Sequence, residues 1–387
     1  MICTLPTGLN LISNVLPIRP LNILQITSGR HINGALTYCK FLSEHLIASG
    51  HSVTILCRKD GWIEHQDIPG VKFFHSEMDR TPTELKRVSD WMTEQKFDVI
   101  HTHMSRAHAF GVLLKWKNGV PVIATAHNRS FQLHWRFNDY VIANSNATCR
   151  YQKRINRVPQ HRMETVHCFT DLERFNEITE LSKHRVLRQL RTGENDFLIG
   201  LVGEVVKRKG HIYLFRALEE IAAAVPNFKL VLLGRFDRDE AYVKQMRRIL
   251  LKGKMFGKVK WLGLRSNVQD YMAAFDLTVV PSIEEPLGLV ALESLAAGTP
   301  VVASDTGGLP EIIEHQVNGL IVPPKQPAAI AQAVIELAND PTRRIKMGQA
   351  GKSFVFEHFD PQSLSKQVEA IYERIIGNSV SEHRRAA

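Results

Sequence analysis

Short runs of β-branched and apolar residues alternate with longer stretches of helical periodicity, and the alternation occurs once in each half of the chain. That pattern is the mark of a parallel sheet covered by helices on both faces. In the first half the runs are NILQIT from Asn22, VTILC from Val53, VKFF from Val71, DVIHTH from Asp98, PVIATAH from Pro121, YVIANS from Tyr140 and METVH from Met163. In the second they are FLIGLVG, KLVLLG, VKWLG, LTVVPS, VVAS and GLIVPP. Between the first two, GALTYCKFLSEHLIASG sets Leu36, Cys39, Leu42 and Leu46 at helical spacing and ends on Gly50, a natural C-cap. At 387 residues the chain exceeds one ordinary core. From Asp171 to Asn195 it becomes charged and loses strand character. These features predict two doubly wound α/β domains, over residues 21–180 and 196–360, joined by a linker at 181–195. Residues 1–20 are expected to be disordered or extended, 361–377 to form a C-terminal helix able to pack on either domain, and 378–387 to be a disordered tail. Two open α/β sheets in tandem imply a ligand cleft at the carboxyl ends of both.

Composition narrows the partners. No stretch reaches the roughly 18 to 20 uncharged apolar residues that a membrane-spanning helix needs. The opening MICTLPTGLNLISNVLPIRP lacks a basic start and holds three prolines, so it does not read as a signal peptide. Five scattered cysteines (Cys3, Cys39, Cys57, Cys149, Cys168), none in a C-x-x-C pair, point to a reducing cytoplasm rather than a disulfide framework. The formal charge of +10 is uneven: residues 1–190 hold 24 Lys and Arg against 16 Asp and Glu. The densest part is RYQKRINRVPQHR, Arg150 to Arg162. Such a patch attracts phosphate-rich partners, with a solvated helix face as the plain alternative. Aromatic interleaving is limited to Tyr151 and no nucleic-acid module signature is present, which favours an anionic membrane surface at the first domain over nucleic acid.

The most specific segment runs from Pro281 to Ile313, PSIEEPLGLVALESLAAGTPVVASDTGGLPEII. A strand ends in a turn with Glu284 and Glu285, Gly288 follows, and a helix opens that carries Glu293 in its second turn. A helix N-terminus offers free N–H groups and a positive dipole to a diphosphate. Gly288 lets the backbone approach closely, and a carboxylate further along suits ribose hydroxyls. The segment resembles the E-x7-E signature of the retaining GT-B glycosyltransferases of family 4, E-x-F-G-x-x-x-x-E, with Leu287 in place of the usual Phe. The resemblance covers nearly all of the chain after Leu21. It implies a GT-B architecture of two Rossmann-like domains, with Glu285 beside the donor sugar and Glu293 on the ribose.

Three further pieces carry the same resemblance. GLVGEVVKRKGHIYL, from Gly200, matches G-R-x-x-x-x-K-G, whose Arg and Lys hold the donor pyrophosphate. Lys209 supplies the Lys, but Glu204 stands where the Arg is usual, and Arg208 is the candidate replacement charge. In TSGRHINGALTY, Asn33 and Gly34 fall at the family's Gly-Gly, so Gly34 alone is kept. His127 ends PVIATAH, where the resemblance places a contact to the transferred sugar or its phosphate. TVHCFTDLERF aligns with N-G-V-D-x-x-R-F; Asp171 and Phe175 match, while Cys168 and Phe169 replace Asn and Gly and are expected to reshape the cleft floor.

Two patterns mimic metal sites. Asp237-Arg238-Asp239 spells D-x-D but begins a helical stretch, so Asp237 reads as an N-cap. His101, His103 and His108 cluster at one strand end without an acidic or cysteine third ligand. The resulting expectation is a metal-independent, retaining hexosyltransferase with no cofactor beyond a nucleotide-sugar co-substrate, UDP-linked by default. Its catalytic set is His127, Glu285 and Lys209. Its donor-binding set is Gly34, Glu204, Arg208, Lys209, Gly288, Leu289 and Glu293. The acceptor is expected to be a glycan or lipid-linked sugar of cell-envelope polysaccharide or lipopolysaccharide, handled in the cytoplasm or on the inner face of the plasma membrane. The rival readings are a nucleotide-sugar 2-epimerase and a weakly active or inactive nucleotide-sugar-binding homologue.

Overall fold

The computed structural model describes residues 19–193, 195–236 and 239–386, with side chains described as far as 378. Among the described residues, thirteen strands form two sheets, parallel throughout. The first holds β1 (Asn22–Thr27), β2 (Ser52–Cys57), β3 (Lys72–His75), β4 (Val99–His103), β5 (Val122–Ala126), β6 (Tyr140–Ala143) and β7 (Met163–Thr165), in the order β3-β2-β1-β4-β5-β6-β7. The second holds β8 (Phe197–Val202), β9 (Phe228–Leu233), β10 (Val259–Gly263), β11 (Leu277–Val280), β12 (Val301–Ser304) and β13 (Gly319–Val322), in the order β10-β9-β8-β11-β12-β13. All thirteen coincide with the apolar runs of the sequence to within a residue or two. The runs are nearly unbroken because helices cover both faces of each sheet, so neither set of alternating side chains meets water.

Each sheet reverses its strand order once, between β1 and β4 and between β8 and β11. At such a switch point the loops leaving neighbouring strands part and open a crevice beyond the carboxyl ends. The loops that follow β1, β5, β8 and β11 are those that carry the sequence motifs.

Two boundaries differ from expectation. The stretch 181–195 is not a plain linker: Glu180–Leu190 is a helix, opened by a capping box between Thr179 and Ser182. Val186 and Leu190, four apart, are buried, and Tyr271 donates to Gln189 Oε1 at 2.8 Å, which fixes the helix on the helix Val268–Ala274. Its two buried apolar positions are outnumbered by charged ones, which hid the helix in the composition. The final helix spans Pro361–Ala386 and so runs on through most of the expected tail. It returns to the first domain, where Glu369 accepts from Ser49 Oγ at 2.7 Å and Arg374 pairs with Glu164 at 3.1 Å. The apolar cluster beneath it is continuous from Ile23 and Leu42 through Tyr372 to Leu292 and Leu295, so one core bridges both sheets. Of the residues expected to be extended at the N-terminus, 1–18 lie outside the described residues. Asp237 does too, and the cap of the helix Glu240–Lys252 is Asp239, which accepts from the Tyr242 amide at 3.1 Å.

His101, His103 and His108 are buried core groups. His101 bonds Tyr372 Oη and Thr125 Oγ1, both at 2.6 Å, and His108 Nδ1 bonds Thr102 Oγ1 at 2.8 Å. No group of three or more His, Cys, Asp or Glu side chains among the described residues is placed to hold a metal ion. Burial pushes His101, His127 and His211 down to about 3 from 6.5, and His134 to about 4. An imidazole with a depressed folded pKa takes up a proton on unfolding. The stability it contributes is complete above 6.5 and is lost as the pH falls towards 3. Each such histidine adds a slope of about 1.4 kcal/mol per pH unit in that window. Denaturant unfolding is therefore expected to show stability falling steeply below pH 6; a flat profile from pH 6.5 to 4.5 would contradict neutral burial of these rings.

Candidate active site

In the second domain, β11 runs into the turn Pro281–Gly288, and the loop after β8 is folded against it. The Arg208 carbonyl accepts from the amides of Ile283 (2.8 Å) and Glu284 (3.2 Å). Gly210 has φ +67°, and a side chain there would collide with the Pro281 carbonyl, so only glycine permits the contact. Glu285 is only 6% exposed and accepts from Lys209 Nζ at 2.5 Å and from Ser282 Oγ at 3.1 Å. On the other side the Gly308 amide donates to the Glu285 carbonyl at 3.0 Å, and a side chain on Gly307 would strike that oxygen. Glu285 and Lys209, far apart in sequence, thus form one unit.

Gly288 has φ +113° and opens the helix Leu289–Ala296, which no side chain caps. Its first amides are left for a ligand. Facing it is the helix Gly34–Ala48 of the first domain: a Cβ on Gly34 would lie 3.1 Å from Leu289 Cδ1. Two helix N-termini therefore meet across the cleft. They are not equivalent, because Asn33 caps its own helix by accepting from Ala35 N (3.0 Å) and Leu36 N (3.2 Å). Glu204 is half-buried at the carboxyl end of β8, on the same edge as Lys209, and the side chain of Arg208 is exposed.

His127 follows β5 directly. Its Nε2 lies 3.0 Å from His103 Nδ1 and its Nδ1 3.7 Å from Cys168 Sγ, with the Tyr38 ring edge-on at 5.4 Å. His103 in turn reaches Gln25 Oε1 at 2.5 Å. Held at about pKa 3 by burial, His127 is neutral near pH 7 and brings no charge to the cleft, and both its ring nitrogens have partners in the first domain. Cys168 and Phe169 are both buried behind the cleft, with Phe169 packed on Tyr38 at 5.1 Å.

The domains touch through polar contacts that sequence reading did not find. Glu293 accepts from Thr170 Oγ1 (3.1 Å) and Arg174 (2.5 Å) of the first domain. Ser145 Oγ donates to the Pro286 carbonyl at 2.6 Å. Glu311 accepts from the amides of Asn146 and Ala147, both at 2.8 Å, and bonds His167 Nε2 at 3.0 Å. Burial alone would raise the Glu311 carboxyl, but the His167 and backbone hydrogen bonds outweigh it and hold it low. Ser145 also caps the helix Asn146–Arg154, accepting from the Thr148 amide at 3.0 Å. Arg129, two residues past His127, also crosses the cleft, with Nε 3.7 Å from Glu284 Oε1.

Comparison with known proteins agrees with this arrangement. Residues 182–354 match the family model described as glycosyl transferases group 1, and residues 32–174 match that of glycosyltransferase family 4. An uncharacterized glycosyltransferase of Methanocaldococcus jannaschii, MJ1607, is 27% identical over 89% of this chain and 95% of its own. A D-inositol 3-phosphate glycosyltransferase of Corynebacterium jeikeium is 33% identical over 53% of this chain and 50% of its own. In fold, Anabaena HepE, solved with UDP and glucose, superposes with a TM-score of 0.82 at 21% identity, covering 91% of this chain and 99% of that one. The chain belongs to the group 1, family 4 glycosyltransferases of GT-B fold, enzymes that transfer a sugar from a nucleotide-sugar donor.

Proposed function

We propose that the chain is a retaining hexosyltransferase that takes its sugar from a UDP-sugar and gives it to a glycan or lipid-linked acceptor at an anionic membrane. The observation that carries the donor half is the uncapped, glycine-opened helix Leu289–Ala296 flanked by Lys209–Glu285 and by Glu293. The diphosphate lies on that N-terminus beside Lys209 and Arg208, the ribose reaches the Glu293 carboxylate, and Gly34 closes over it from the first domain. The uridine base is supported by HepE, whose structure holds UDP and glucose.

The bond between the anomeric carbon and the diphosphate oxygen breaks while the acceptor oxygen approaches on the same face. The departing diphosphate oxygen takes the acceptor proton, and configuration is retained. Negative charge grows on the diphosphate, where the helix dipole and cations are already oriented, so little reorganisation is needed. Glu285, fixed by Lys209 and Ser282, orients the sugar, and neutral His127 faces it from the first domain. Charge compensation comes from these groups, and the reading requires no metal ion.

For the acceptor, residues 104–163 hold ten Lys and Arg against the single acid Asp139. Within the same stretch Trp116, Phe131, Leu133, Phe137 and Ile155 are exposed, with Trp116 and Phe137 in ring contact at 5.4 Å. Apolar side chains set among cations suit the interface of an anionic bilayer. No described helix is long and apolar enough to cross one. Together these features favour a peripheral enzyme of envelope polysaccharide or lipopolysaccharide synthesis on the inner face of the plasma membrane.

Calorimetry against UDP-, GDP-, ADP- and CMP-sugars is expected to show one nucleotide class bound, with UDP favoured. Glu293→Gln should weaken it about tenfold or more, the scale of a charged hydrogen bond. Binding of none of them would refute the donor reading. In flotation with vesicles containing phosphatidylglycerol, the protein is expected to bind in a salt-sensitive manner. Arg154→Ala with Arg157→Ala should cost about 1 kcal/mol per charge. Equal binding to neutral phosphatidylcholine vesicles would count against the membrane reading.

A further inference from the structure

Arg129 is poorly satisfied for a group so far out of water. Its side chain is 19% exposed, and its Nε is buried without a hydrogen-bond partner. The nearest carboxylate, Glu284, stands 3.7 Å away, beyond hydrogen-bond range. A guanidinium carries five N–H donors in a rigid fork, and withdrawing them from water without acceptors is costly. Lys209 and Arg174, which also reach the cleft, are each engaged by a carboxylate, Lys209 by Glu285 and Arg174 by Glu293, at 2.5 Å. Arg129 is also well aimed. It leaves the carboxyl end of β5 beside His127, and a Cβ on Gly307 would come within 3.4 Å of one of its terminal nitrogens. The fork therefore stands over the turn that carries Glu285 and opens the helix Leu289–Ala296.

We propose that Arg129 is a phosphate ligand for the nucleoside diphosphate, reaching from the first domain to a group bound on the second. The inference rests on the reading of this cleft as a nucleotide-sugar site. Glu284, 44% exposed on its side chain, holds the guanidinium loosely until a diphosphate displaces it. A planar fork matches two phosphate oxygens at once and gives the buried Nε–H an acceptor. Because cation and diphosphate are carried by different domains, their attraction also draws the cleft shut around the donor.

The test is calorimetry on the full chain with UDP, GDP and ADP and the matching nucleosides, using Arg129→Ala, Arg129→Lys and Glu284→Gln. For the diphosphate that the unaltered protein binds, Arg129→Ala should weaken binding about 10- to 100-fold. Arg129→Lys should fall between, and the matching nucleoside should bind unchanged. Glu284→Gln should keep or tighten diphosphate binding, and ligand-free Arg129→Ala should melt no lower than the unaltered protein. Unchanged diphosphate affinity in Arg129→Ala overturns the proposal. So does an equal loss in Glu284→Gln, which would make the residue an interdomain ion-pair partner instead. If the unaltered protein binds no nucleoside diphosphate at all, the donor reading fails first and takes this inference with it.

Discussion

A carboxylate taken out of water must be compensated or it destabilises the fold, and the contact between Glu285 and Lys209 is where this chain meets that requirement. The pair joins the loop after β8 to the turn after β11, the two strands that flank the switch point of the second sheet. Everything nearby is shaped to keep them together. Gly210 lets one loop lie on the Pro281 carbonyl, and Gly307 lets a third loop lie on that of Glu285. Without both glycines the turn could not be gripped from two sides, and the helix Leu289–Ala296 would not be aimed into the cleft. The ion pair is therefore worth more as a positioning device than as a source of stability.

The interface between the domains is built on another principle. Beside the core continued beneath the final helix, it carries polar bonds at the cleft: Ser145 to Pro286, Glu311 to two amides and His167, Glu293 to Arg174 and Thr170. Glu311 acts as a capping carboxylate supplied from another domain, doing at the helix Asn146–Arg154 what an acidic first-turn residue would do locally. Such bonds exchange for water at small net cost, so they define a closed geometry without locking it. Glu293 shows the consequence: the carboxylate proposed for the ribose is already bonded to the first domain, and only one of its oxygens is so used.

Much of this was legible in the chain. Buried parallel strands are written as unbroken apolar runs, and the turn, glycine and helix of the Pro281–Ile313 segment lie within a few residues of one another, so local reading suffices. The residues that escaped it are those whose meaning comes from a partner far away. Arg129 and Glu311 look like ordinary surface charges until the other domain is set against them. His101 and His103 posed the reverse problem, a metal-like spacing that the fold uses to hydrogen-bond strand to strand. The helix Glu180–Leu190 was missed because its two buried residues were outvoted by its solvated ones, and the burial of Cys168 and Phe169 was not readable because a motif alignment gives position along the chain but not depth.

The final helix ties these features together. It begins in the second domain yet buries Val368, Ile371 and Tyr372 against the first. Tyr372 Oη meets His101, whose ring lies 4.4 Å from that of His103, and His103 bonds His127 at the cleft. These rings are neutral and buried, so the series carries shape rather than charge: each ring fixes the orientation of the next. A helix that must stay on the first domain while its root belongs to the second restrains how far the domains can part. Through Tyr372, His101 and His103, the element that limits the opening thus also fixes the orientation of the His127 imidazole.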